Sequence, residues 1–274
     1  MAAPGVFITT RCKDGIYTPF AAVGSKYRVL QNIEMSLILE ALVSEGDIRI
    51  HTAGSLQDGR KVWMLGRLHG RTKEAAPKDI VDYNVLLVNS HDGSLVISLL
   101  LTLIRVVCMN TLIAALASGR SNGKMITIRH SGNPLQRITE AQRVLGLLEE
   151  TANAQDTLID TLVSIDMDKR KVIEGFERLY PNPDDERSAT RAENIREKLM
   201  DIYENSPTIA MPGVTGTGWG FVNTITQAVD HGLLRNYTKA DACLTSAWFG
   251  SGDDLKNSAL HVVQELSGIS FLNA

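Results

Sequence analysis

The stretch that decides the fold is Asp47-Ile-Arg-Ile-His-Thr-Ala-Gly54, followed by Asp58-Gly59 and then by Lys61-Val-Trp-Met-Leu-Gly-Arg-Leu-His69. An Asp-Gly pair suits the positive backbone angles of a tight turn, so the two flanking runs predict a β-hairpin. The same pattern recurs at His91-Asp92-Gly93, which separates two further strand-like runs. The sequence therefore predicts four antiparallel strands within residues 47–104.

Helices are predicted on both sides of these strands. Apolar residues at helical spacing predict a helix at 32–44, before the first hairpin. The predicted elements after the hairpins are helices at 106–117, 136–167, 168–179, 188–203, 219–234 and 253–266, with a short strand at 124–130. This order predicts an α+β fold, with antiparallel β-hairpins at residues 47–104 followed by a mainly helical C-terminal half.

The domain organisation follows from the same patterns. Residues 1–27 show no sustained periodicity and predict an extended N-terminal arm of the kind that joins a neighbouring subunit. Residues 28–274 are predicted to form a single α+β domain. Its parts are a basic hairpin region to about residue 148, an acidic helical region at 149–204 and C-terminal helices at 205–274.

Composition limits the classes of protein that the chain can belong to. Its 274 residues carry a net charge of -3, so no overall basic excess indicates nucleic acid or an anionic membrane. The three cysteines form no CxxC pair, which favours a reducing compartment over a disulfide framework or a zinc site. The longest apolar run, near residues 95–108, contains polar residues and an arginine. We expect a cytoplasmic protein with no membrane partner.

Charge is distributed unevenly along the chain. Residues 60–148 carry 12 Lys or Arg against 5 Asp or Glu, whereas residues 149–204 carry 8 against 15. One interpretation is a charge-balanced surface with no particular partner. The other is a basic groove on the sheet that holds a phosphate backbone, with the acidic helices as its outer wall.

Two common catalytic motifs are absent from the sequence. It has no GxxxxGK[ST] phosphate loop and no HExxH, and we expect no metal or cofactor. The GxSxG spacing occurs at Gly119-Arg-Ser-Asn-Gly123, between a predicted helix and a predicted strand. Gly216-Thr-Gly-Trp-Gly220 is best interpreted as a helix start capped near Thr217, and His231-Gly232 as a helix end. The sequence favours a protein without enzymatic activity. The alternative is an enzyme that brings Asn110, His130, Asn223 and His231 into one pocket.

The candidate nucleic-acid contacts are cations in the predicted strands and turns. Arg120, Lys124 and Arg129 lie beside Gly119 and Gly123, and glycine lets a backbone approach phosphates closely. The full candidate set is Lys61, Arg67, Arg105, Arg120, Lys124 and Arg129, with Lys256 as a further member.

A series of short motifs along the chain resembles one family. They are Tyr27-Arg-Val-Leu-Gln-Asn32, His51-Thr-Ala-Gly-Ser-Leu-Gln-Asp-Gly-Arg-Lys-Val-Trp63, Asn89-Ser-His-Asp-Gly-Ser94, Arg105-Val-Val-Cys-Met-Asn-Thr-Leu112, Ile128-Arg-His130, Trp219-Gly-Phe-Val-Asn223 with Asp230-His231, and Trp248-Phe-Gly250 with Lys256. They resemble the phage- and plasmid-like proteins filed as domain of unknown function 932. A more remote similarity, to single-strand annealing proteins of the RecT/Redβ and Rad-fifty-two type, rests on hairpins followed by helices.

The resemblance implies a gene carried by phages, plasmids or prophages and a role in DNA replication or recombination. The expected activity is ATP-independent binding and annealing of single-stranded DNA by a homo-oligomeric ring or filament. A phage nuclease or a host single-strand-binding protein would be a further partner. The alternative to annealing and to an enzyme is a protein-interaction module that targets a host or phage protein through its acidic helices.

Overall fold

A computed structural model describes residues 4–44, 48–107, 110–112, 126–128, 134–239 and 241–271. Within them the strands come first and most helices follow, so the predicted α+β class is confirmed. The strands are β1 (Val6–Lys13), β2 (Ile16–Gly24), β3 (Ile48–Leu56), β4 (Lys61–Ala76), β5 (Asp79–Ser90), β6 (Ile97–Arg105), β7 (Asn110–Leu112) and β8 (Ile126–Ile128). The helices are α1 (Asn32–Ser44), α2 (Pro134–Ser164), α3 (Lys169–Leu179), α4 (Glu186–Asn205), α5 (Gly218–Asp230), α6 (Ala242–Phe249) and α7 (Ser251–Ser267).

The described strands form two sheets. Strands β1 and β2 make an antiparallel pair, and the larger sheet has the order β3-β4-β5-β6-β7, with β8 also paired to β6. The turns between β3 and β4 and between β5 and β6 lie where the sequence predicts them. Asp58, Gly59 and Gly93 all have positive φ there, the conformation for which Asp-Gly is selected.

Two sequence expectations differ from the structure. Residues 6–24, predicted as part of an extended arm, pair with each other as a β-hairpin whose turn is Asp14-Gly15, with φ of 52° and 79°. The helix predicted at 106–117 is wrong at Asn110–Leu112, which pairs with Leu103–Arg105 of β6. Pairing with a distant strand overrides the local helical pattern in this segment.

The described chain divides into two compact units by its contacts. Unit 1 contains the described residues of 1–71, 83–102 and 119–152, and unit 2 those of 72–82, 103–118 and 153–274. The sheet residues of unit 1 that supply its core include Val85, Leu86, Leu87, Ile97 and Leu99, all at most 1% exposed.

Unit 2 is centred on α5. Every residue of this helix is buried except Gln227 and Asp230. Its start confirms the prediction for Thr217, whose side chain accepts a hydrogen bond from the backbone N–H of Gly220 at 3.1 Å. Its end confirms the prediction for His231 and Gly232, because His231 is the C-terminal cap and Gly232 has a φ of 66°. No helix among the described residues is long and apolar enough to cross a membrane.

Candidate nucleic-acid interface

The β3–β4 hairpin of unit 1 brings two arginines directly opposite each other. Arg49 on β3 is the register partner of Arg67 on β4, and both side chains are exposed. Like charges in this position destabilise a hairpin by mutual repulsion. Two neighbouring arginines also offer hydrogen-bond donors to a phosphate or another anionic group.

A β-bulge creates this pair. Leu56 to Thr52 pair regularly with Lys61 to Leu65, but the register shifts between Ile50 and Thr52, where His51 is the extra residue. A regular register would place Arg49 opposite Leu68, on the other face of the hairpin. The bulge turns Arg49 to the face that carries Arg67.

Strand β4 extends this positive face. Because alternate residues of a strand share one face, the side chains of Lys61, Trp63, Leu65, Arg67 and His69 point to the same side, about 6.7 Å apart between alternate positions. Leu65 is buried there, and the alternation ends at Gly70, whose φ is 68°. We call Arg49, Lys61, Arg67 and His69 the basic face. All four belong to unit 1. Residues 48–56 and 61–71 contain no Asp or Glu.

The aromatic rings of Trp63 and Tyr83 each make a close contact in this part of the sheet. The indole of Trp63 packs on Gly54 of the facing strand, where an added Cβ would lie only 2.6 Å from the ring. Glycine at this position is therefore what lets the ring lie against the backbone. The guanidinium of Arg71 lies 5.3 Å from the centre of the Tyr83 ring, a cation–π contact that fixes its position.

Of the candidate contacts, Lys61 and Arg67 belong to the basic face. Lys61 is half-buried at the start of β4, and Arg67 is exposed in the middle of the strand. Arg120, Lys124 and Arg129 lie outside the described residues. Arg49 and His69 were not among the predicted contacts. The alternation Arg67-x-His69 is visible in the sequence, whereas the position of Arg49 depends on the bulge.

Arg105 has a buried position in unit 2. It is 2% exposed, and its Nε donates to Oδ1 of the fully buried Asp79 at 2.6 Å. Its Nη2 donates to the backbone carbonyl of Thr208 at 2.6 Å, while Trp219 Nε1 donates to Asp79 Oδ2 at 2.8 Å. This network gives the guanidinium a structural role and explains why an arginine lies at the end of an apolar strand.

Lys256 is likewise enclosed in unit 2. It is 0% exposed on α7, and its Nζ forms an ion pair with Asp230 at the end of α5. The same ammonium lies 3.4 Å from the backbone carbonyl of Ala247. Both partners satisfy the ammonium within the helices, so its charge stabilises the contact of α5 with α6 and α7.

The alternative pocket of Asn and His residues has two members with described side chains. Asn223 is buried in α5, and its amide donates to the carbonyl of Trp219 at 2.9 Å, one helical turn earlier. His231 is exposed beyond the end of that helix. The side chain of Asn110 and all of His130 lie outside the described part. Among the described residues, no cluster of His, Cys, Asp and Glu suits a metal ion.

Comparison with known proteins gives one result. The family model described as "Domain of unknown function (DUF932)" matches residues 19–248, which confirms the family predicted from the motifs. No curated protein and no solved structure matches the chain. The description of the family names no activity, so the function has to be argued from the residues of the chain itself.

Proposed function

Since the chain belongs to the DUF932 family, whose description names no function, we propose from its own geometry that it binds single-stranded DNA on the basic face. The observation that carries the proposal is the Arg49–Arg67 pair, two exposed arginines opposite each other in the strand segments 48–56 and 61–71, which contain no acidic residue. Arginine binds phosphates through its planar fork of donors, which can form two parallel hydrogen bonds.

In the proposed mechanism the protein holds and orients the strand and performs no chemical reaction on it. Arg49, Lys61 and Arg67 hold successive phosphates, and the counterions released from the strand supply most of the affinity. Trp63 lies on the same face and offers a ring for base stacking. Bases that are not covered by the protein stay available to a complementary strand, which is what annealing without ATP requires. Arg120, Lys124 and Arg129 remain proposed contacts of the same kind.

The wider setting is part of the proposal. We propose a phage or plasmid gene product that acts in recombination or replication in the bacterial cytoplasm, as a homo-oligomeric ring or filament. A phage nuclease or a host single-strand-binding protein would be its protein partner. We also propose a remote relation to annealing proteins of the RecT/Redβ and Rad-fifty-two type, which rests on the order of elements alone.

The test is binding of a fluorescent single-stranded oligonucleotide across a salt series, with a duplex of the same sequence alongside. We expect affinity for the single strand to exceed that for the duplex and to fall steeply with salt. The double variant Arg49→Gln/Arg67→Gln should flatten the slope of log K against log salt by about 1.4, because each lost phosphate contact removes about 0.7 for a single strand.

The matched control is Arg187→Gln, an exposed arginine on α4 in unit 2. It should leave both affinity and salt slope unchanged. Annealing is measured separately with two complementary dye-labelled strands in the absence of ATP. Failure of the wild-type protein to bind the single strand at low salt would falsify the proposal, and binding without accelerated annealing would restrict it to strand binding.

A protein-interaction module is the second candidate function, favoured by the β1–β2 hairpin. Phe7, Ile8, Ile16 and Tyr17 are between 59% and 70% exposed on it. A two-stranded hairpin with apolar residues in water gains stability from a partner that covers them. Binding to such a partner would depend little on salt, in contrast to DNA binding.

A further inference from the structure

Unit 1 contains a cavity that the proposed strand contacts do not use. Its volume is about 930 Å³, and it is bordered by the β1–β2 hairpin, the segment at 25–33, the β3–β4 turn and His91. Small-molecule sites commonly measure about 300–1,000 Å³. The cavity is therefore large enough for a nucleotide.

The charged groups of this cavity have one sign. Arg11 and Arg28 line it, and no Asp or Glu is among the described residues that do so. The Arg11 guanidinium is held in place, since its Nη1 donates to the backbone carbonyl of Asp58 at 2.8 Å. Two arginines that line one cavity, one of them held in place, favour an anionic ligand.

Aromatic rings supply the second feature. Phe20 and His91 are nearly parallel, at 12° between their planes and 6.2 Å between ring centres. Tyr27 lies beside them, and its hydroxyl donates to the carbonyl of Ser90 at 2.8 Å. Burial raises the pKa of this hydroxyl, so it stays protonated and keeps its bond. Rings held in this way favour a flat, unsaturated ligand that can stack.

Polar groups at the start of α1 supply the third feature. Asn32 Oδ1 and His91 Nε2 lie 2.9 Å apart and orient each other, which leaves the amide nitrogen of Asn32 as a donor. Gln31 also lines the cavity. Amide side chains are the groups that pair with the donor and acceptor edge of a nucleobase.

From these three features we infer that the cavity of unit 1 is a nucleotide site, with the base against Phe20 and His91 and the phosphate at Arg11 and Arg28. The shared chemistry is an aromatic base joined to a phosphate. Its source is either a free nucleotide or one unstacked nucleotide of a bound strand. The site goes beyond the basic face, because no residue of that face lines it.

The first experiment is calorimetric titration of the full chain with deoxyadenosine monophosphate, deoxyadenosine and inorganic phosphate. We expect the nucleotide to bind at least tenfold more tightly than either part alone. Phe20→Leu and Arg28→Gln should each weaken it about tenfold, the order of one charge-assisted hydrogen bond or one base stack. Lys26→Gln is the matched control, because this exposed lysine is two residues from Arg28 and does not line the cavity.

The second experiment identifies the source of the nucleotide. A single strand that contains 2-aminopurine is titrated with the protein, and the emission of that base reports its stacking. If the emission changes, Phe20→Leu abolishes this change and the free nucleotide does not bind, the site holds a nucleotide of the strand. Binding of the free nucleotide alone assigns it to a soluble ligand.

Two results would overturn the inference. One is binding of neither the nucleotide nor the labelled base by folded wild-type protein. The other is equal binding of inorganic phosphate and nucleotide, which would mean that no base is recognised. If Phe20→Leu does not fold, Arg28→Gln still tests the inference, because Arg28 is exposed and its replacement should not prevent folding. Arg49→Gln separates the two proposals, because it should weaken binding of the DNA strand and leave binding of the free nucleotide unchanged.

Discussion

Arg49 lies directly opposite Arg67 across the β3–β4 hairpin, and both residues are exposed on the same face. A protein that only needed to fold would gain by placing opposite charges at this position, since such cross-strand pairs stabilise a sheet. We expect this pair to be less favourable for stability than a pair of opposite charges at the same position, and to become more favourable when an anion binds.

Arg49→Glu should stabilise the free protein and weaken DNA binding. The substitution converts a repulsive cross-strand pair into an attractive one, so the free energy of unfolding should rise by about 0.5 kcal/mol at low salt. Urea denaturation at low and high salt measures this difference, which screening should reduce. A variant that is less stable and binds single strands as well as the wild type does would contradict both parts.

Asp79→Ala should strongly destabilise unit 2. The carboxylate accepts hydrogen bonds from Arg105 and Trp219, and its removal leaves the Arg105 charge buried. Breaking one side of a buried ion pair costs about 3–5 kcal/mol. Chemical denaturation measures the loss. The paired replacement Asp79→Leu/Arg105→Met should cost less than Asp79→Ala, and a larger cost for the pair would argue against this account.

Lys256→Met and Lys61→Met should have opposite effects. Lys256 is fully enclosed beside Asp230, so its loss leaves a carboxylate with little access to water and should cost about 3 kcal/mol of stability. At temperatures where it is folded, the Lys256→Met variant should bind DNA with the same affinity as the wild type. Lys61 is half-buried on the basic face, and its loss should lower affinity with little change in stability. Thermal unfolding and oligonucleotide binding, measured on both variants, distinguish the two roles.

Asp185→Ala should lower thermal stability near neutral pH but not in strong acid. Asp185 caps α4 by accepting the backbone N–H of Ser188 at 2.9 Å, and this hydrogen bond lowers the pKa of the carboxyl. A lowered pKa means that the stabilisation is full above the ordinary value of about 3.9 and is lost as pH falls through the folded-state value. Melting followed by circular dichroism at neutral and acidic pH measures the difference.

The matched control for that experiment is Asp184→Ala, which removes the neighbouring exposed carboxylate outside the cap. It should change the melting temperature little at either pH. A difference between Asp185→Ala and wild type that persists in strong acid would mean that the cap does not depend on the ionised carboxylate.

Local signals predicted much of the fold. The helix at 32–44, the cap at Thr217 and the turn at Asp58-Gly59 depend on contacts within a few residues, and the structure confirms each of them. Asp14-Gly15 carries the same turn signal, so the β1–β2 hairpin was visible in the sequence and was missed because its flanking residues lack a regular alternation.

What the sequence by itself determined is the α+β class, most element positions and the family, because these follow from local periodicity, turn chemistry and ordered motifs. Tertiary structure alone decided which cations are accessible. Arg67, Arg105 and Lys256 look alike in the sequence, yet only Arg67 is exposed, since burial and ion pairing depend on residues far away in the chain. Pairing between strands also decided the bulge at His51, which brings Arg49 opposite Arg67.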